Sequence, residues 1–216
     1  MAQSFLQRAV KRTIDVTASC FGICATLPLV AAVGAAVKLD SEGPVLYRSP
    51  RVGKGGRIFD LYKLRSMKVT PPDAGPQVTA GTDDRITRVG RVLRKTKIDE
   101  LPQLFNVLKG EISLVGPRPE APKYVAKFPS EYEKILSVKP GLSDRATLEF
   151  LGEEELLAGA ADPEKTYVEE ILPRKIAHYL RYVENPSLAE DAAIIVETLG
   201  RIAERAAKSI LGRPEQ

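Results

Sequence analysis

The chain has 216 residues, with 32 Lys+Arg against 28 Asp+Glu for a formal charge of +4. That length buries a core without disulfide or metal staples, and 28% charged with 44% apolar residues excludes a disordered, collagen-like or multi-spanning chain. The mean hydropathy of −0.14 fits a soluble enzyme but conceals one segment almost devoid of charge.

That segment comes first. Val16 to Val37 is a run of 22 residues without a charged side chain. As a straight helix it would reach about 33 Å, enough to cross a bilayer. Pro28 lies near its midpoint, removes the amide that would bond the Cys24 carbonyl, and is expected to kink the helix. Arg8, Lys11 and Arg12 precede the run, and Lys38, Arg48, Arg51, Lys54 and Arg57 follow it. Positive flanks favour the cytoplasmic side, so both ends belong there. A re-entrant helix that enters one leaflet and returns satisfies both flanks, with Thr26 or a neighbouring element tying up the freed carbonyl. A straight span, a buried helix and a signal peptide are the three other readings of the same run. Cys20 and Cys24, the only cysteines, are expected to be buried small hydrophobes with no zinc set to complete.

Val45 to Arg48 and Arg57 to Leu64 read as short strands, with Gly53, Gly55 and Gly56 supplying the turn between them. Thr70 to Thr82, with three Pro and two Gly, reads as a loop. Arg85 to Lys97 then holds six basic residues and no acid. Arg85, Arg88 and Arg91 share one helix face and Ile86, Val89 and Leu93 another. Such a face is either solvated or aimed at phosphates.

Leu101, Leu104, Phe105 and Leu108 follow the i, i+3, i+4, i+7 spacing of a buried helix face. Pro102 must lie in the first turn, so the helix is expected to begin near Asp99 and stop at Gly110. Asp99 then reads as its N-cap with Glu100 as a dipole-friendly neighbour. The same place would suit a nucleophile facing a phosphate, with a second carboxylate holding a divalent cation. Ile112 to Val115 reads as a buried strand entering a turn, Gly116-Pro117-Arg118-Pro119, whose prolines fix the direction of Arg118.

Farther on, Glu164 to Val183 and Leu188 to Leu211 read as helices. In the second, Ile195, Leu199, Ile202, Ala206 and Ile210 form one face, to pack on the core, lie in the interface, or pair with a second copy. His178 is the only histidine, so Ser–His or His-rich metal chemistry would rest on one residue. The chemistry must run on carboxylates and basic groups.

Several blocks together resemble the bacterial sugar transferases of the monotopic polyprenyl-phosphate phosphoglycosyl transferase superfamily. These are Lys11 to Asp15, Pro28, Arg51 to Gly53, Tyr62 to Met67, Asp83 to Thr87, Ile98 to Leu108 and Ser113 to Pro119. The resemblance implies a membrane-associated, helix-rich α/β enzyme. Residues 1–40 would form a re-entrant, Pro-kinked anchor and 41–216 a cytoplasmic catalytic domain on the bacterial inner membrane. It further implies that Asp99 is the nucleophile that attacks a UDP-sugar and passes the sugar phosphate to polyprenyl phosphate. Glu100 would hold Mg²⁺, Arg94 and Arg118 would contact phosphate, and Lys63 lies in a block near the site. With about ten residues before the anchor, the minimal form of the family is expected.

Two departures stand out. Leu27 precedes the kinking proline where relatives often have Ser, and Leu142 to Phe150 replaces a Thr-Gly-Trp and Asn-Gly-Arg pattern. The second leaves the sugar open. The rival readings are a membrane-tethered nucleic-acid binder and a single-pass scaffold. The first lacks an interleaved aromatic platform, with seven Tyr, six Phe and no Trp, so no nucleic-acid partner is expected.

Overall fold

The computed structural model describes residues 5–69 and 83–210, with side chains described up to residue 204. The loop predicted over 70–82 lies outside the described residues. The first helix, α1, runs from Phe5 to Asp40, longer than the uncharged run at its centre. Its 36 residues correspond to about 54 Å of helix. Pro28 sits inside it and the helix continues on both sides. The Thr26 hydroxyl donates to the Gly22 carbonyl at 2.7 Å, so it does not serve the Cys24 carbonyl freed by Pro28, as the sequence suggested.

Among the described helices, α1 is the one long and apolar enough to cross a membrane. It is not a buried core helix, since Phe21, Leu27 and Leu29 are exposed along it. Cys20 and Cys24 are exposed too, contrary to the expected burial, because they lie on a helix that the protein leaves largely uncovered.

Both ends of α1 are nevertheless fastened to the same body. Near the start, Lys11 pairs with Asp191 and donates to the Tyr182 hydroxyl at 3.2 Å. The Arg12 guanidinium donates to the carbonyls of Val107 and Leu108, both at 2.7 Å. Buried Asp15 accepts from the Ser113 hydroxyl and the Leu114 amide, both at 3.0 Å. At the other end Val37 is buried with Leu64 and Leu93, flanked by Val30 and Val33. Burying such a side chain stabilises by about 1.5–3 kcal/mol. Arg65 donates to the Ser41 carbonyl at 2.8 Å, and Asp40 accepts from the Val89 amide at 3.0 Å.

The strands β1 (Leu46–Val52) and β2 (Ile58–Leu64) form an antiparallel hairpin, with Leu46 opposite Leu64 and Val52 opposite Ile58, and β1 continues beyond its expected end at Arg48. A turn at Lys54–Gly56 joins them, and Gly55 and Gly56 take positive φ of 68° and 77°, which glycine adopts without strain. Helix α2 (Arg88–Thr96) starts at Thr87, whose hydroxyl accepts from the Gly90 amide at 2.9 Å. Arg85 falls outside this helix and pairs with Asp83, so the basic face begins at Arg88. Gly90 lets α2 lie directly on the backbone of Ser66, since a Cβ there would stand 1.9 Å from the Ser66 carbonyl oxygen.

Helix α3 (Gln103–Lys109) ends at Gly110, with φ of 83°, as predicted. Its buried side differs from the sequence expectation. Gln103, Asn106 and Val107 point inward, whereas Phe105 is 43% exposed and Leu101, Leu104 and Leu108 are only partly covered. The reason is Asn106, whose amide serves the hairpin backbone. It accepts from the Tyr62 amide at 3.0 Å and donates to the Asp60 carbonyl at 2.7 Å. Leu104 lies instead against α1, next to Gly22.

Strand β3 (Ser113–Val115) pairs in parallel with β4 (Gly141–Ser143), a strand the sequence reading did not anticipate. Between them run α4 (Pro122–Val125) and α5 (Pro129–Ile135). After β4 come α6 (Arg145–Glu149), α7 (Glu153–Ala158), α8 (Pro163–Thr166), a π-helical turn at Tyr167–Ile171, α9 (Leu172–Glu184) and α10 (Leu188–Ile210). Tyr132, Leu157, Tyr167, Leu172, Ile176 and Tyr179 form the largest core cluster. In α10 Ile194 is the core residue, while Leu199, expected on the packed face, is 62% exposed. The architecture is helix-rich α/β with two small sheets.

Candidate active site

Asp99 and Glu100 lie in a single 3-10 turn, Ile98–Glu100, between α2 and α3. The expected N-cap does not form. Pro102 occupies the cap position of α3, without a capping side chain, and the Asp99 carboxylate stands a turn earlier. The turn is closed by the Glu100 amide donating to the Lys97 carbonyl at 3.1 Å and the Leu101 amide donating to that of Ile98 at 3.2 Å. Lys97 enters it with φ of 58°, the one positive φ at a non-glycine among the described residues. That conformation costs an L-residue about 1–2 kcal/mol.

Asp99 is 5% exposed, and its Oδ1 has no hydrogen-bond partner among the described residues. Glu100 Oε1 accepts from Lys63 Nζ at 3.0 Å and from Arg118 Nη2 at 2.5 Å. Lys63 is carried by β2, directly after the Tyr62 amide that Asn106 holds. Arg118 comes from the rigid Gly116–Pro119 turn after β3, and its Nη1 reaches the Leu142 carbonyl at 3.4 Å. Three elements therefore deliver Lys63, Glu100 and Arg118 to one point.

The adjacent carboxylates titrate in opposite directions. Burial pushes Asp99 up, with the Glu100 charge adding to it and Lys63, Lys97 and Arg94 opposing. Burial also works against Glu100, but Arg118, Lys63 and Lys97 outweigh it and hold that carboxyl well below its ordinary range. Burial lowers Lys63, against the pull of Glu100 and Asp99. Neighbouring carboxylates split in this way are a recurrent feature of acid–base and nucleophilic sites.

Of the residues singled out in the sequence, Asp99, Glu100, Lys63 and Arg118 are brought together. Arg94 is nearby but engaged, its Nε and Nη2 donating to Glu154 at 3.0 and 2.8 Å. Pro28 lies in α1, apart from this cluster in sequence and role. Sequence reasoning missed Lys97, Glu154 and the buried Asp144, whose charge acts on Arg118. Only Lys97 carried a local signal, the Lys two residues before the carboxylates.

Among the described residues no three His, Cys, Asp or Glu side chains gather into a metal cage. Mg²⁺ does not require one, being bound by one or two carboxylates together with substrate phosphates and water. Both hydrogen bonds to Glu100 fall on Oε1, and buried Asp99 Oδ1 is unpartnered. Glu100, both of whose hydrogen bonds fall on the other oxygen, offers Oε2 as the hard donor that fits such an ion.

The model of the bacterial sugar transferase family matches residues 6–205, which includes every residue of this cluster. The chain belongs to the bacterial sugar transferase family. It is 41% identical over 199 residues to a UDP-N-acetylgalactosamine-undecaprenyl-phosphate N-acetylgalactosaminephosphotransferase of Aeromonas hydrophila, covering 89% of this chain and 43% of that protein. It is 40% identical over 196 residues to a UDP-glucose:undecaprenyl-phosphate glucose-1-phosphate transferase of Caulobacter vibrioides, covering 88% and 68%. A third relative, the exopolysaccharide production protein PSS of Rhizobium leguminosarum bv. phaseoli, is 36% identical, covering 88% of this chain and 93% of that protein. The chain thus spans less than half of the first relative and about two thirds of the second.

Proposed function

We propose that this family member is a phosphoglycosyl transferase that moves a sugar 1-phosphate from a UDP-sugar to polyprenyl phosphate. The observation that carries the reading is a buried Asp99 oxygen, without a hydrogen-bond partner among the described residues, beside a Glu100 carboxylate clamped by Lys63 and Arg118. An Asp99 oxygen attacks the sugar-proximal phosphorus, forming an Asp99–phosphorus bond. The bond from that phosphorus to the bridging oxygen breaks, and UMP leaves with the electron pair. An oxygen of polyprenyl phosphate then attacks the same phosphorus, and Asp99 departs as a carboxylate. Lys63 and Arg118 keep Glu100 ionised and oriented and present their remaining donors to the phosphates. Arg94 steadies the charge of Asp99 from its place on Glu154. Mg²⁺, held by Glu100 with the substrate phosphates, neutralises charge on the diphosphate when bound.

Residues 1–40 serve as the anchor and 41–216 as the catalytic body at the cytoplasmic face of the inner membrane. The support is that Lys11 to Asp15, just before the apolar run, and Val30 to Asp40, its second half and the residues after it, contact one body. A straight span would leave one foot on the far side of the bilayer, so the re-entrant reading is favoured. Relatives named for UDP-sugar and undecaprenyl-phosphate transfer agree with the chemistry. The test is a panel of nucleotide sugars offered with polyprenyl phosphate, scored by UMP release. With UDP-sugar alone, the peptide containing Asp99 should gain the mass of a sugar phosphate. An unmodified Asp99 peptide under trapping conditions would refute the covalent route.

A further inference from the structure

Four cations act on Asp99 or Glu100: Lys63, Arg94, Lys97 and Arg118. Three of them are already spent within the protein. Lys63 and Arg118 are ion-paired with Glu100, and Arg94 is held at two nitrogens by Glu154. Lys97 alone of the four has no ion-pair partner among the described residues, although it is partly buried.

Its backbone is part of the site as well. The Lys97 carbonyl accepts from the Glu100 amide at 3.1 Å, and its own amide donates to the Arg94 carbonyl at 3.4 Å. Lys97 is thus the joint that ends α2 and opens the turn carrying both carboxylates. Glycine or asparagine would take a φ of 58° with less strain, since neither resists the left-handed region as a long side chain does. A lysine held there against that preference puts an unneutralised ammonium two residues from Asp99. Strained backbone with a functional side chain is a known pairing at active sites.

Taking the transferase reading above as given, we propose that Lys97 is a binding residue for the diphosphate of the nucleotide sugar. Lys63 and Arg118 reach the phosphates only with donors left over from Glu100, whereas Lys97 brings a charge that no ion pair among the described residues neutralises. A diphosphate arriving beside two carboxylates gains from a protein cation whose charge is not already committed, and this lysine supplies one. The bland alternative is that Lys97 only terminates α2.

Two substitutions separate the roles. Lys97→Gly keeps the left-handed joint and removes the ammonium, whereas Lys97→Arg keeps a cation. In the full-length chain held in lipid nanodiscs, Lys97→Gly should raise KM for the UDP-sugar about tenfold, the loss of one charged hydrogen bond. Its Tm should be equal to or above that of the parent, and its KM should depend less steeply on salt. Lys97→Arg should restore KM to within about twofold. Titration with UDP alone should show the same ranking without any turnover. If Lys97→Gly binds UDP and the sugar nucleotide as the parent does, the proposal is overturned. It is equally overturned if both variants lose binding together with a drop in Tm, since the joint alone would then matter. An inactive parent that still binds UDP in a Lys97-dependent way would sink the transferase reading and leave the binding role standing.

Discussion

Replacing Asn106 tests whether α3 holds the lysine strand in place. Its side chain is fully buried and makes three hydrogen bonds, to the Tyr62 amide, the Asp60 carbonyl and, at 2.7 Å, the Glu111 carboxylate. Asn106→Ala deletes all three and strands two backbone groups of β2. Three bonds at about 1 kcal/mol each, plus the desolvation cost of the stranded groups, give a loss of about 3–5 kcal/mol. Each kcal/mol lowers Tm by roughly 2–4 °C in a chain of this size. Asn106→Asp should be worse at neutral pH, because it sets a carboxylate against a carbonyl and the Glu111 carboxylate, each where a donor stood at 2.7 Å. The introduced acid is thereby raised above its unfolded value. Its protonated form donates as the amide did, so stability is present at low pH and lost as pH rises through the raised value. Thermal unfolding of both variants across pH 4 to 8 is the assay. An Asn106→Asp protein as stable as Asn106→Ala at neutral pH, with no recovery in acid, would refute this account of the α3–β2 contact.

Asp99→Asn should abolish turnover yet raise Tm at neutral pH, because ionising the buried Asp99 opposes folding; the gain should vanish on acidification. A lower Tm at neutral pH would contradict the burial argument. Glu100→Gln should free Lys63 and Arg118 from their shared partner and cost about 2–3 kcal/mol after discounting for partial exposure, read as lost Tm alongside lost transfer. Chelation by EDTA should stop transfer, and activity retained without divalent metal would remove the ion from Glu100. In intact cells Cys20 and Cys24 should resist an impermeant maleimide, whereas labelling from the periplasmic side would indicate a spanning helix.

The parts of this fold that depend on local pattern were legible in the sequence. The uncharged run, the glycine turn of the hairpin, the stop at Gly110 and the rigid turn bearing Arg118 all follow from neighbours along the chain. Long-range pairings were not. Nothing local to Arg94, for which the family resemblance implies a phosphate contact, showed that it pairs with Glu154, 60 residues away. The leucines of α3 matched a core-facing stripe, yet the buried amide of Asn106 turned the helix the other way. A helical period cannot distinguish a protein core from the flank of an apolar helix, and Leu104 lies on that flank. Asp99 looked like an N-cap because a 3-10 turn and a capped helix start share the same short sequence signals.

The fastening of α1 at both ends bears on the anchor role proposed for it. A helix joined by a flexible leash would let the body drift several nanometres from the membrane. Here Val37 is one of the body's own core residues and Asp15 is bonded to the strand leading to Arg118. On the anchor reading proposed above, the helix would work as a depth gauge: whatever height it took in the leaflet would set the height of Asp99. Removing it to obtain a soluble enzyme would open the body along Leu64 and Leu93 rather than merely release it.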